Sequence, residues 1–215
     1  MTDSTKEGDE LDRRLRGGDT AALAELFAMH RERLWRMVDF RLDRRLVGRL
    51  DPDDVLQESY VAAQQRLDHF RTRQTMAGFV WLRLIVGQTL VDAHRRHLGA
   101  QGRDAGRERS LGGFSYPQTT SASLAIHLVG HLTSPSQAAV RAEAYERLER
   151  AIAQMEPVDQ EVLALRHFEE LTNSEVAEVL GIQQKAASIR YVRAVRRLRE
   201  LLKDVPGFGE EAYDG

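Results

Sequence analysis

The chain of 215 residues contains no cysteine. This absence excludes a disulfide framework, a zinc site built on thiolates and a cysteine nucleophile, and it suits a reducing compartment. No run of about 18 apolar residues occurs, so the sequence predicts no membrane span. The first residues are polar and acidic without an apolar segment, so no signal peptide is expected. Together these absences predict a cytoplasmic protein.

An excess of charge of one sign is also missing, since 31 Lys and Arg residues face 33 Asp and Glu residues. The net charge of -2 gives no reason from bulk composition to expect a nucleic-acid partner. Apolar residues make up 42% of the chain, which is enough to build cores, and the length allows one or two domains. The distribution of charge along the chain is therefore more informative than its total.

Strand patterns are lacking as well, because no window alternates apolar and polar residues over more than a few positions. Apolar residues instead recur at helical spacing, so the sequence predicts an all-α protein. A first helix is expected after Gly18 with Asp19 as its N-cap, a second at Asp51-Pro52 and a third over residues 76–97.

The character of the chain changes between residues 98 and 133, where six glycines occur among serines and threonines. This composition is typical of a flexible linker. Residues 124–132 within it read LAIHLVGHL, and we expect this apolar segment to dock on a domain because its exposure to water is costly. The prediction is two small helical domains, over 11–97 and 134–203, joined by a long flexible linker over 98–133, with a tail over 204–215.

The second domain opens at residues 134–137, SPSQ, which form a capping-box pattern with proline at the first helical position. A helix is expected from there to about residue 154, and a short helix follows Pro157. Thr172 with Glu175 forms another capping box, whose helix ends at Gly181. A last helix over 184–203 completes the layout of a helix-turn-helix, whose second helix enters the major groove of DNA.

Charge is strongly polarised in this second domain. Residues 141–180 hold ten acidic and four basic residues, whereas residues 185–203 hold seven basic and one acidic residue. A solvated basic face would explain the last helix alone, but its place in a helix-turn-helix favours DNA binding. The side chains expected at base edges are Gln184, Lys185 and Ser188, and those expected at phosphates are Arg190, Arg193, Arg196 and Arg197.

Stretches of sequence in both predicted domains carry a family resemblance. Residues 161–202 read EVLALRHFEELTNSEVAEVLGIQQKAASIRYVRAVRRLRELL and resemble the C-terminal promoter-binding domain of bacterial extracytoplasmic-function (ECF) sigma factors of the sigma-70 family. In the first domain, GGDTAALAELFAMHRERLWRMV, DPDDVLQESYVAAQQRLDHF and FVWLRLIVGQTLVDAHRR resemble successive helices of the sigma N-terminal domain, in the family's order. The resemblance implies a transcription initiation factor that binds core RNA polymerase and promoter DNA, with no cofactor and no catalysis of its own.

The second helix begins with carboxylates and carries no base among them. Negative charge that complements the helix dipole accounts for Asp51, but it does not account for Glu58. The resemblance implies that this helix binds the clamp helices of the polymerase's largest subunit. The residues to which that role transfers are Asp53, Asp54, Gln57 and Glu58.

The resemblance also implies two DNA contacts. The loop over residues 69–75 mixes cations with Phe70, which suits capture of an unstacked base, although Phe70 itself and Trp81 are expected in the core. The residues expected at the -10 element are His69, Arg71, Arg73, Gln88, Asp92, His94, Arg95 and Arg96. The last helix would contact the -35 element, where Ile189 could meet a thymine methyl group.

Departures from the family pattern leave the promoter sequence open. Family members usually have Asn in place of Gln88 and Ser or Thr in place of Gln183, and Gln is a poor N-cap. An alternative function is a helix-turn-helix regulator that binds duplex DNA as a dimer without the polymerase. An enzyme would have to start from a metal site at Asp92, His94 and His97, which is poor because it has no fourth ligand. An anti-sigma partner is compatible with the resemblance, and the sequence does not decide whether one exists.

Overall fold

The computed structural model describes residues 2–72, 76–98, 108–111, 114–130 and 138–203. The described residues form ten α-helices and one two-stranded hairpin, so the all-α prediction is confirmed as the main architecture. The chain divides into two compact units, Met1–Gln118 with Glu178–Gly181, and Thr119–Ala177 with Ile182–Gly215. None of the described helices combines the length and the apolar character needed to cross a membrane.

The first part of the chain forms five helices, with a short 3-10 turn at Arg44–Leu46 after the second of them. These helices are α1 (Thr2–Arg16), α2 (Ala22–Arg41), α3 (Pro52–Gln65), α4 (Leu67–Thr72) and α5 (Gly78–Leu98). Helix α5 is the core of the unit, and its buried residues lie on nearly every side of the helix between Gly78 and Leu90. Phe70 and Trp81 are fully buried with their ring centroids 4.8 Å apart, as expected from the sequence.

The start of α3 follows the predicted capping chemistry. The Asp51 side chain accepts a hydrogen bond from the Asp53 backbone N–H at 2.9 Å, and Pro52 occupies the first helical position. The start of α2 differs, because Asp19 accepts from the Ala21 N–H at 3.0 Å in the turn before the helix and does not cap it. Helix α1 was not predicted, since only Leu11 and Leu15 give it an apolar side.

The predicted loop over residues 69–75 is wrong for residues 69–72, which lie in α4. Phe70 is fully buried, and the Arg16 guanidinium lies 4.5 Å from the centroid of its ring. This packing holds the segment against the first unit as a helix. Residues 73–75, and with them Arg73, lie outside the described residues.

Two short strands occur where the sequence predicted none and where its composition predicted a flexible linker. β1 (Glu108–Leu111) and β2 (Phe114–Pro117) pair antiparallel, with Leu111 opposite Phe114. Tyr116 is buried, and its ring centroid lies 5.4 Å from the Arg41 guanidinium and 4.8 Å from that of Arg83. A Cβ at position 87 would lie 2.5 Å from the Tyr116 Cβ, so only Gly87 allows this approach. Strands of four residues are too short to give an alternating pattern.

The apolar linker segment forms α6 (Ser121–Gly130) in the second unit. Leu124, Ala125 and Val129 are buried, and the helix packs against α7. The backbone N–H of Thr119 donates to the buried carboxylate of Glu161 at 2.9 Å, which holds the start of this segment. The expected docking of the segment on a domain is therefore confirmed for residues 124–130, while His131 and Leu132 lie outside the described residues.

The helices after the linker are α7 (Ala138–Ile152), α8 (Pro157–Leu163), α9 (Asn173–Leu180) and α10 (Gln184–Leu202), with a π-helical turn at Ala164–Phe168 after α8. The second predicted capping box is confirmed, because the Thr172 N–H donates to Glu175 at 2.7 Å and the Glu175 N–H donates to the Thr172 hydroxyl at 3.3 Å. The predicted box at residues 134–137 lies outside the described residues.

We expect Leu124→Ala to lower the free energy of unfolding of the second unit by about 2 to 3 kcal/mol, because it leaves a cavity between α6 and α7. Amide hydrogen exchange of α6 and α7 measures the effect. Ile126→Ala is the matched control, since Ile126 is only half-buried on the same helix and should cost clearly less. Equal protection in the two variants would mean that Leu124 does not anchor α6.

Candidate nucleic-acid interface

Helices α9 and α10 meet at a tight turn. Gly181 at this turn has φ of 65°, a conformation that residues with a side chain rarely adopt, and the Ile182 N–H donates to the Ala177 carbonyl at 2.9 Å. Gln183 makes no side-chain capping bond to α10, as its poor capping chemistry predicts. The sequence therefore produces the predicted helix-turn-helix. No side chain of the N-cap residue accepts a hydrogen bond at the start of its second helix.

One side of α10 packs and the other is exposed. Ala187 and Ala194 are buried at 1% and 0% exposure, and their small side chains allow the helix to approach its neighbours closely. Ile189 is 44% exposed and Val192 is 64% exposed on the opposite side. Gln184, Lys185 and Arg193 are exposed as well. Helix α10 therefore has a packing face and, opposite it, an exposed face that carries cations.

The cations of α10 differ in their partners. Among the described residues, Lys185 and Arg193 form no ion pair. Arg196 and Arg197 both face Glu200, at 3.3 Å and 3.8 Å. Within the described residues, no acidic side chain therefore neutralises the charge of Lys185 or Arg193.

Arg190 is directed toward α8 and contacts Asp159 at 3.4 Å and Glu156 at 4.0 Å. A second polar contact of α10 lies at the next residue, where the Tyr191 hydroxyl is 3.1 Å from His167 Nε2. Burial lowers the pKa of His167, and the nearby Arg166 guanidinium lowers it further. These contacts tie the middle of α10 to the segment over residues 156–168. The Ser188 hydroxyl donates to the Gln184 carbonyl at 3.2 Å, within α10 itself.

In the first unit, the end of α5 carries an exposed polar face. Gln88 Nε2 donates to Asp92 Oδ1 at 3.1 Å, and Asp92 lies 3.8 Å from Arg95. Arg96 forms an ion pair with Glu58 of α3 at 2.6 Å. The structure thus groups Gln88, Asp92 and Arg95, and it pairs Arg96 with a carboxylate that the sequence assigned to a different contact.

His94 lies apart from that face, because it is half-buried and its Nε2 accepts a hydrogen bond from the Asp43 backbone N–H at 3.3 Å. Burial lowers the pKa of His94, and this effect is larger than that of the Asp43 carboxylate, which raises the pKa. On α4, His69 and Arg71 are half-buried as well. Arg71 donates to the Leu15 carbonyl at 3.4 Å and pairs with Asp68 at 3.2 Å.

The acidic start of α3 is partly neutralised from other helices. Asp53 pairs with Arg31 of α2 at 2.6 Å, as Glu58 does with Arg96. Asp54 and Gln57 are exposed, and their side chains form no hydrogen bond or ion pair among the described residues. Sequence reasoning missed Arg31 because the α2–α3 arrangement, and not any spacing within α3, brings it to the carboxylates.

The alternative metal site finds no support in the geometry. Within the described ranges, no three or more His, Asp or Glu residues are grouped so that they could hold a metal ion. His94 is turned toward Asp43, whereas Asp92 faces Gln88 and Arg95.

Comparison with known proteins bears on both units. The family model described as sigma-70, region 4, matches residues 145–198. The chain is 22% identical to the ECF RNA polymerase sigma factor SigW of Bacillus subtilis over 194 residues, which cover 90% of this chain and 95% of that protein. It is 27% identical to the ECF RNA polymerase sigma factor SigD of Mycobacterium tuberculosis over 200 residues, which cover 91% and 85% of the two chains. The region 4 match and the similarity to these two relatives over nearly the whole chain support an ECF sigma factor of the sigma-70 family.

A solved structure, that of CnrH in complex with the cytosolic domain of CnrY, shares the fold with a TM-score of 0.50 and 20% identity, over 92% of this chain and 97% of that chain. The similarity to SigW and SigD extends over both units of this chain. A dimeric regulator would share the helix-turn-helix alone, so this reading is set aside. Taken with the region 4 match, this similarity supports a sigma factor that directs RNA polymerase.

The lowered pKa of His94 predicts that the stability of the first unit depends on pH. Because the folded state binds the proton less well than the unfolded chain, the free energy of unfolding falls as the pH drops below about 6.5 toward the lowered folded pKa. His94→Gln keeps an acceptor for Asp43 but cannot titrate, so its stability should fall less between pH 8 and pH 5. Urea unfolding followed by the fluorescence of Trp35 and Trp81 measures this. Parallel profiles for His94→Gln and the wild type would contradict the prediction, and His97→Gln, at an exposed site, is the control.

Proposed function

We propose that this sigma factor binds core RNA polymerase through the acidic face of α3 and contacts its promoter with two surfaces. The exposed face of α10 reads the -35 element, and the end of α5 with α4 contacts the -10 element and assists its melting. The observation that carries the proposal is α10, whose packing face is alanine-rich and whose opposite face holds unpaired cations. The protein acts in the cytoplasm through binding, without catalysis of its own.

The proposal for the -35 element follows from the order of side chains along α10. The first turn of a recognition helix points at base edges, and here it offers Gln184 and Lys185, with Ser188 and Ile189 one turn later. A lysine can donate to guanine O6 and N7, and an exposed isoleucine can contact a thymine methyl group. Arg193, Arg196 and Arg197 lie farther along, where phosphates flank the groove. Arg190 contacts a phosphate only if it leaves Asp159.

The proposal for the -10 element assigns its contact to the polar face of α5. Gln88 and Asp92 can exchange their mutual hydrogen bond for base edges, and Arg95 can reach a phosphate. Among the other predicted residues, His69 and Arg71 stay in the proposal as neighbours of the single strand. His94 is assigned a packing contact with Asp43 in place of a DNA contact.

The proposal for core polymerase rests on charge. Asp54 and Gln57 are exposed and unpartnered, and Asp53 and Glu58 are each held by one arginine. A basic helix of the polymerase would meet the unpaired carboxylate directly and could compete with Arg31 and Arg96 for the paired ones. CnrH was solved in complex with the cytosolic domain of CnrY, and we include a protein of this anti-sigma kind among the proposed partners.

Run-off transcription with purified core enzyme on libraries of randomised promoters tests the function as a whole. We expect transcripts from a subset of sequences that share two elements, and no transcripts from core enzyme alone. Absence of selective transcripts with a folded sigma factor that binds the core would overturn the promoter-recognition part of the proposal. The same experiment yields the promoter sequence used below.

Asp54→Arg combined with Glu58→Arg should abolish copurification with core polymerase while leaving the fold intact. Exposed charges contribute little to stability, but a reversed pair meets like charge at a basic partner. The control is Glu7→Arg combined with Glu10→Arg, which makes the same change in net charge on exposed residues of α1. Circular dichroism checks the fold. Full retention of the α3 variant on the core enzyme would refute the assignment of this helix.

Lys185→Ala and Arg193→Ala should differ in kind. Loss of a base contact relaxes sequence preference at particular -35 positions, whereas loss of a phosphate contact weakens binding to every sequence and lowers the salt slope by about one unit. Both side chains are exposed and unpaired among the described residues, so neither change breaks an internal ion pair. Arg199→Ala, near the end of the same helix, is the control. Equal losses on all sequences at all salt concentrations would contradict base reading by Lys185.

A further inference from the structure

Helix α6 lies outside the region 145–198 that matches the sigma-70 region 4 family, yet it is packed into the second unit. Leu124 and Ala125 are buried at 1% and 0% exposure, and Val129 at 5%. The Thr119 N–H reaches the fully buried Glu161 carboxylate of α8 at 2.9 Å. A helix held at its start by a buried charge and along its length by apolar packing is part of the domain and not a passive tether.

One side chain of α6 reaches the π-helical turn at Ala164–Phe168. The His127 ring meets the Phe168 ring edge to face, with centroids 5.5 Å apart and an interplanar angle of 64°. His127 Nδ1 lies 2.9 Å from the Ser123 carbonyl oxygen, and since a carbonyl only accepts, Nδ1 carries the hydrogen. This bond fixes the orientation of the ring that Phe168 packs on.

The same turn holds the recognition helix. His167, next to Phe168, lies 3.1 Å through Nε2 from the Tyr191 hydroxyl, and the two rings are 5.5 Å apart. The Arg166 guanidinium lies 5.1 Å from the centre of the Tyr191 ring. Within this turn, Phe168 therefore contacts α6, whereas Arg166 and His167 contact α10. π-helical turns are rare in proteins and occur frequently at functional sites.

Tyr191 stands in α10 between Ser188, a proposed base contact, and Arg193, a proposed phosphate contact. Hydrogen bonds to base edges depend steeply on distance and angle, so a small rotation of α10 would change which bases fit. The contact between Tyr191 and His167 is one of those that hold α10 in its orientation, beside the contact of Arg190 with Asp159. The contact between His127 and Phe168 is made by the residue next to His167 in the same turn.

We propose that α6 is a positioning element of the -35-binding domain, acting on the recognition helix through His127, the π-helical turn and Tyr191. The inference rests on the proposed role of α10 in DNA binding. It makes His127, Phe168, His167 and Tyr191 positioning residues that touch no DNA themselves. It also means that the functional promoter-binding module begins at Thr119, within the sequence that composition marks as a linker.

The experiment is a double-mutant cycle in the full chain, with affinity measured at 10 °C on the duplex that the wild type selects from a randomised -35 library. His127→Ala removes the ring contact, and Tyr191→Phe removes the hydroxyl while it keeps the aromatic ring. We expect each change to weaken binding about three- to tenfold, and the double variant to be no weaker than the weaker single one. His127→Phe restores an aromatic contact with Phe168 and should return the affinity to within about twofold of the wild type.

Several outcomes overturn the inference. Independent losses that multiply in the double variant would show that the two contacts are not coupled through the turn. A His127→Ala protein that melts earlier but binds the duplex like the wild type would make α6 a stabilising helix only. Failure of His127→Phe to recover affinity, in a protein folded by circular dichroism, would exclude the ring contact as the cause. If the wild type selects no duplex, the proposed function of α10 fails instead, and that result is visible before any variant is made.

Discussion

The second unit depends on helix α10, which packs closely against the unit on one side and leaves its opposite side exposed. Ala187 and Ala194 are the buried positions of α10, and their small side chains bring its backbone near the rest of the unit. A large side chain at either position would push the helix outward and disturb the contacts of Arg190 and Tyr191. Because packing uses one side only, the exposed side can hold cations that a protein core would reject.

Charges that a sequence pattern assigns to a partner are in part used inside the protein. Glu58 and Arg96 were placed on two different binding surfaces, and the structure pairs them at 2.6 Å. Exposed pairs of this kind contribute little to stability, so they can exchange for intermolecular contacts at small cost. The pairing therefore leaves Glu58 and Arg96 available for the contacts proposed for them. It also places the acidic residues of α3 beside the end of α5. Polymerase binding and contact with the -10 element would then act on adjacent groups.

The predicted linker shows that composition alone does not decide whether a segment folds. Glycine and serine content describes the tendency of an isolated chain to stay flexible, but Tyr116 and Leu124 each find a matching site in one of the units. Tyr116 fits because Gly87 leaves room for it and because the guanidinium groups of Arg41 and Arg83 lie near its ring. None of these three residues is near Tyr116 in sequence. No local pattern could have identified the hairpin, although the apolar run around Leu124 did indicate docking.

Local chemistry determined much of this protein before folding is considered. Helical periodicity, the caps at Asp51 and Thr172 and the charge contrast within the second domain were sufficient for the helix-turn-helix and the acidic helix, since each depends on residues a few positions apart. Tertiary structure alone decided which of the predicted side chains are available. Asp54, Lys185 and Arg193 remain free among the described residues, while His94, Arg190 and Arg96 are held by groups at least 31 residues away. Such partners meet only when distant helices pack, because pairing across a long stretch of chain leaves no periodic trace in the sequence.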